Sequence, residues 1–209
     1  MVSRRGGRQL GGFAAATLAW IFCSVSMNLP QWRVWCFEDP ADSEPSLTLV
    51  GMWRTCVYYK ENNSNILRAC YQYTYQDTFV PLDIRVAQHL LLISSCLGMI
   101  SSVSVVVILW KIYSGRLQKV SYNPFFVPGI LNIIASVLVF ISTLYNYLSI
   151  IRKDEIDFPP SYGIPSIPDT QKVGTALAMA TLSSFLFLVG GTISISFTFP
   201  IRSRIHSSI

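Results

Sequence analysis

Hydrophobic residues along this chain are gathered into four long blocks, with neither the helical nor the strand period of an amphipathic element. Gln9 to Trp32, Val86 to Trp110, Val120 to Ile151 and Val173 to Ile201 contain no Asp, Glu, Lys or Arg. Each block exceeds the roughly 20 residues that cross about 30 Å of hydrocarbon as a helix. The pattern predicts membrane spans over approximately 9–29, 87–110, 124–151 and 173–199. Loops 30–86 and 152–172 then lie on one side, and segments 1–8, 111–123 and 200–209 on the other.

Charge orients this layout. Arg4, Arg5, Arg8, Lys111, Arg116, Lys119, Arg202 and Arg204 fall on one side, while all 11 acidic residues lie in the two other loops. Lys and Arg in short loops hold those loops in the cytoplasm. Both termini are therefore expected in the cytoplasm, with 30–86 and 152–172 outside a multi-pass plasma-membrane protein. The net charge of +5 reports this topology and does not point to nucleic acid. The alternative reading of the first block as a cleaved signal peptide suits it poorly. Its charge-free run is long for one, and cleavage would strand the termini on opposite sides.

Composition agrees: 51% of the residues are hydrophobic and 13% charged, against about 25% charged in soluble domains. None of the predicted spans holds a charged residue, and His89 falls near the outer end of the second. Transporters, proton pumps and voltage sensors need ionisable groups inside the membrane, so those classes are set aside. The two histidines lie far apart, and the chain has no Cys-x-x-Cys, His-x-x-x-His or phosphate-binding glycine loop. We expect no enzyme, metal or cofactor. Small residues recur in "GGFAAA" (11–16), "SSCLG" (94–98) and "VGG" (189–191), where they let helices approach closely in lipid.

The first loop has its own pattern. "SLTLVGMWRTCVYYK" (46–60) and "CYQYTYQ" (70–76) are rich in β-branched and aromatic residues, and "ENNSN" (61–65) between them has turn chemistry. They predict an antiparallel hairpin with Cys56 and Cys70 on facing strands. Outside the cell a disulfide is expected, but Cys36 shares the loop and leaves the pairing open. Asn62-Asn63-Ser64 is a glycosylation sequon at the hairpin tip. Ser207-Ser208-Ile209 matches a PDZ ligand, which would dock by strand addition.

"LPQWRVW" (29–35), "GMWRTC" (51–56) and Cys70 together resemble the claudin signature. "CYQYTYQDTFVP" (70–81), "GIL" (129–131) and "DFPPSYGIPSIPDTQKVGTAL" (157–177) extend the resemblance from about Gln9 to Phe199. There are also departures. The interval between the cysteines is longer than is usual, Gln88 stands where the family has arginine, and the cysteines palmitoylated in claudins after spans two and four are missing.

The resemblance implies an all-α membrane protein with a small β part: a left-handed four-helix bundle capped by an extracellular antiparallel sheet. Trp32, Gly51 and Trp53 would anchor the sheet, and a Cys56–Cys70 disulfide would staple the hairpin. Phe158 and Tyr162 would meet other molecules across the cell gap. Tyr71 occupies the position after the second cysteine that sets ion selectivity in the family, and it is uncharged. Partners would be further copies, other claudins, membrane lipids and, through Ser207 and Ile209, PDZ scaffolds. The implied function is structural cell–cell adhesion at the tight junction, barrier-like more than charge-selective. The alternative is a regulatory auxiliary subunit or trafficking partner, as in the calcium-channel-gamma and peripheral-myelin-protein relatives.

Overall fold

The computed structural model describes residues 2–37, 46–61, 64–74, 76–114 and 123–196, with backbone only for 2–9 and 61. Four helices, α1 (Val2–Asn28), α2 (Leu82–Tyr113), α3 (Phe126–Arg152) and α4 (Thr175–Ile195), are each long and apolar enough to cross a membrane. They form a ring in which α1 packs on α2 and α4, and α3 packs on α2 and α4. Five strands make one antiparallel sheet at one end: β1 (Arg33–Cys36), β2 (Leu47–Val50), β3 (Arg54–Glu61), β4 (Ser64–Gln72) and β5 (Thr170–Val173), in the order β4-β3-β2-β1-β5.

The helices meet through small and hydroxylated residues. Gly190 of α4 lies against Ala16 of α1, and Gly191 against Gly129 of α3. Each seam also carries a serine hydrogen bond. Ser183 donates to the Ala19 carbonyl (2.7 Å), Ser136 to the Ser184 carbonyl (2.8 Å) and Ser101 to the Pro128 carbonyl (3.0 Å), while Ser24 and Ser95 pair at 3.1 Å. Between helices in lipid, close packing and such hydrogen bonds replace the hydrophobic driving force.

The stretch 46–60 is two strands, not one: β2 and β3 are separated by Gly51–Trp53. At the hairpin end, pairing of Lys60 with Asn65 and Glu61 with Ser64 extends the strands into the segment expected as turn. A bulge interrupts the β3–β4 ladder at Val57/Tyr58. Helix α2 begins at Leu82, ahead of the apolar run, with Pro81 at its N-cap and Asp83 in its first turn. The Asp83 carboxylate suits the positive end of the helix dipole.

β5 runs directly into α4 through Gly174, which is packed against the α1–β1 turn. A Cβ there would lie 1.9 Å from the Gln31 carbonyl oxygen and 2.5 Å from its carbon. A Cβ on Gly11 would meet nothing within 4 Å. Gly174→Ala is therefore expected to destabilise the protein by about 1–3 kcal/mol or more through overpacking of rigid backbone. Gly11→Ala should leave the thermal unfolding midpoint in detergent micelles unchanged or raise it slightly, since alanine favours the helix.

Candidate functional site

The sheet is seated on the bundle where α1 ends. Trp32 is fully buried and its Nε1–H donates to the Ser26 carbonyl (2.7 Å) in the last turn of α1. Arg54 donates to the Asn28 carbonyl (2.8 Å). In the break between β2 and β3, a Cβ on Gly51 would sit 2.6 Å from the Pro30 Cα and 2.8 Å from the Leu29 oxygen. Only glycine lets these two backbones touch. Trp53, beside it, is half-buried against the core. The three motif positions thus converge on one turn.

Two buried side chains hold the break from below. The Gly51 carbonyl accepts a hydrogen bond from the Tyr73 hydroxyl, and the Met52 carbonyl accepts one from Gln88 Nε2. Burial pushes the Tyr73 phenol well above its ordinary pKa, so it remains a donor at physiological pH. Gln88, the departure from the family's arginine, acts here as a neutral donor to the backbone.

Cys56 and Cys70 lie directly opposite each other in β3 and β4 and are joined by a disulfide. Cys36 is a half-buried free thiol. The pairing left open by the residues alone is settled in favour of 56–70.

The second loop folds back onto the sheet through aromatic rings. Phe158 is half-buried, edge-on to Trp35 at 5.6 Å between ring centroids and 5.9 Å from Phe79. Tyr162 stacks on Tyr71 at 4.0 Å with the planes 8° apart. Burial raises the Tyr162 phenol, with Asp77 and Tyr71 adding to it. Phe158, Tyr162 and Tyr71 therefore share one aromatic layer within the chain. The turn Pro160–Tyr162 that carries Tyr162 ends on Gly163 at φ 63°, a left-handed conformation natural to glycine. Asn62, Ser207 and Ile209 lie outside the described residues.

Sequence reasoning passed over the most deeply buried charge among the described residues. Arg33, 1% exposed, forms an ion pair with Asp83 at the start of α2 and a hydrogen bond to Asn146 Oδ1 of α3 (3.2 Å). One residue thus ties sheet, α2 and α3 together. Its signal was the position of Arg33 between two tryptophans, in register with the inward-facing Trp35. Which acidic residue would answer it was not readable.

The family model described as PMP-22/EMP/MP20/Claudin tight junction matches residues 17–196. Claudin-2 of Mus musculus is 25% identical over 189 residues, covering 90% of this chain and 76% of that protein. Claudin-2 of Canis lupus familiaris is 26% identical over 200 residues, covering 95% of this chain and 81% of the relative. Claudin-4 of Canis lupus familiaris is 25% identical over 197 residues, covering 90% and 84%.

Removing one partner of a buried ion pair leaves an uncompensated charge, whereas replacing both is often near neutral. Arg33→Met is expected to cost about 3–5 kcal/mol, and Arg33→Met with Asp83→Leu to recover most of that. Tryptophan-fluorescence melting curves in micelles would measure both.

Proposed function

On the premise that this chain belongs to the PMP-22/EMP/MP20/claudin tight-junction family, we propose that it is a structural cell–cell adhesion protein. It assembles with copies of itself and with other claudins, side by side in one membrane and face to face between two. The resulting strands govern the paracellular gap as a barrier more than as a charge-selective channel. Both termini face the cytoplasm in this reading, supported by the basic residues of segments 1–8, 111–123 and 200–209, and the sheet faces outward.

The observation that carries the barrier reading is the Tyr71–Tyr162 stack. The position that would set selectivity is an uncharged ring covered by another. It supplies no field to favour cations or anions. Phe158 and Tyr162 serve contact between molecules in this scheme by holding the second-loop turn in shape, and Pro160 and Ile167 of the same loop are exposed. A preformed loop loses little entropy on docking. Lipid contacts the apolar helix faces, Asn62 carries a glycan, and Ser207 with Ile209 offers the tail to PDZ scaffolds.

Expression in fibroblasts that lack tight junctions tests this reading. Enrichment at contacts between transfected neighbours is expected, with strands by freeze-fracture, and loss of both on Cys56→Ser. In epithelial monolayers, expression should raise resistance without changing the sodium-to-chloride preference, and Tyr71→Asp should introduce cation preference. Diffuse surface staining without strands would overturn the adhesive reading in favour of an auxiliary subunit that needs its partner.

A further inference from the structure

The underside of the β1–β5 edge gathers buried polar atoms that none of the described protein groups satisfies. Arg33 and Trp35 alternate with Val34 along β1 and share one face. Gln171 lies opposite Trp35 across the ladder to β5. From α3 come Asn146 and, one turn further on, Ser149. Gln171 Nε2 donates to the Asp154 carbonyl (3.4 Å), and the Asp154 amide donates to the Ser149 carbonyl (3.1 Å), which brings the Gln171 amide to the end of α3.

Arg33 uses Nη2 for both Asp83 and Asn146. Among the described residues, its Nε and Nη1 have no hydrogen-bond partner, and neither do Trp35 Nε1, Ser149 Oγ and Gln171 Oε1. Leaving such a buried atom unbonded is unfavourable, and more so when the group is charged. The set is chemically complementary: the guanidinium and indole N–H groups donate, the Gln171 oxygen accepts, and the Ser149 hydroxyl does either. Trp35 and Gln171 stand directly opposite across the ladder, yet their unsatisfied atoms bond neither each other nor the other members of the set. Asp83 already neutralises Arg33, so the site has no net charge to attract an ion. What it calls for is a small neutral molecule that both donates and accepts.

We propose that ordered water occupies a buried hydration site bounded by Arg33, Trp35, Ser149 and Gln171. It bridges β1 and β5 to the end of α3. Buried waters of this kind make two to four hydrogen bonds to polar groups that are otherwise unsatisfied. The second loop is thereby fastened to the bundle through a wet seam, while the neighbouring Trp32–Ser26 joint is dry.

Trp32 and Trp35 form an internal pair for the test, because both are fully buried and only Trp32 has its indole N–H satisfied within the chain. X-ray radiolytic footprinting of the full chain in nanodiscs generates hydroxyl radicals from bound water in place. Trp35 is expected to oxidise several-fold faster than Trp32. Gln171→Leu with Ser149→Ala should bring its rate down to that of Trp32. Equal labelling of the two tryptophans, whether slow or fast, would overturn the proposal. So would a Trp35 rate that follows halide concentration, which would mark an anion site.

Discussion

A helix that ends at a membrane surface leaves its last carbonyls without intrahelical partners, and the sheet end of this protein is organised around that constraint. The Ser26 carbonyl takes the Trp32 indole, the Asn28 carbonyl takes Arg54, the Gln31 carbonyl takes the Ala176 amide, and the Trp32 carbonyl takes the Gly174 amide. The end of α1 is thereby joined to β1, β3 and the start of α4. Gly51 and Gly174 are required where they stand because the backbones that supply these bonds come into contact. Everything else at this end is placed relative to that turn.

The two loops are not independent attachments. β5 of the second loop completes the sheet on β1, and the aromatic layer of Phe158, Tyr162, Phe79 and Tyr71 closes the second loop over the first. The disulfide lies in the β3–β4 hairpin at the opposite edge from β5. Covalent constraint therefore acts on one edge, and packing with hydrogen bonding acts on the other. A surface built this way can present side chains to a neighbouring molecule with little reordering, which suits repeated assembly.

The helices were legible because lipid is a demanding solvent: a charge-free run longer than the bilayer has few alternatives to a span. The β3–β4 hairpin was legible in its first strand, rich in β-branched and aromatic residues, and in the facing of Cys56 and Cys70. But β4 runs from Ser64 to Gln72, starting inside the expected turn and ending before the 70–76 stretch does. β1 and β5, of 4 residues each, are too short to show a period, and they exist because each offers the other a partner across a distance of more than a hundred residues. Arg33 was visible as a residue and invisible as an anchor, since its partners Asp83 and Asn146 belong to two other elements. The serine hydrogen bonds between helices were missed for the same reason, because a hydroxyl reads alike whether it faces its own helix or the next.

The sequence by itself determined the number of spans, the charge asymmetry across them, the hairpin and the motif Trp32, Gly51, Trp53, Cys56 and Cys70. All of these follow from local composition or short-range spacing. Tertiary structure alone decided that Cys70 and not Cys36 joins Cys56, that Phe158 rests against Trp35, and that Tyr71 is covered by Tyr162. Those outcomes depend on which distant residues the closed ring of helices and the five-stranded sheet bring within a few ångströms, and chain order does not encode that distance.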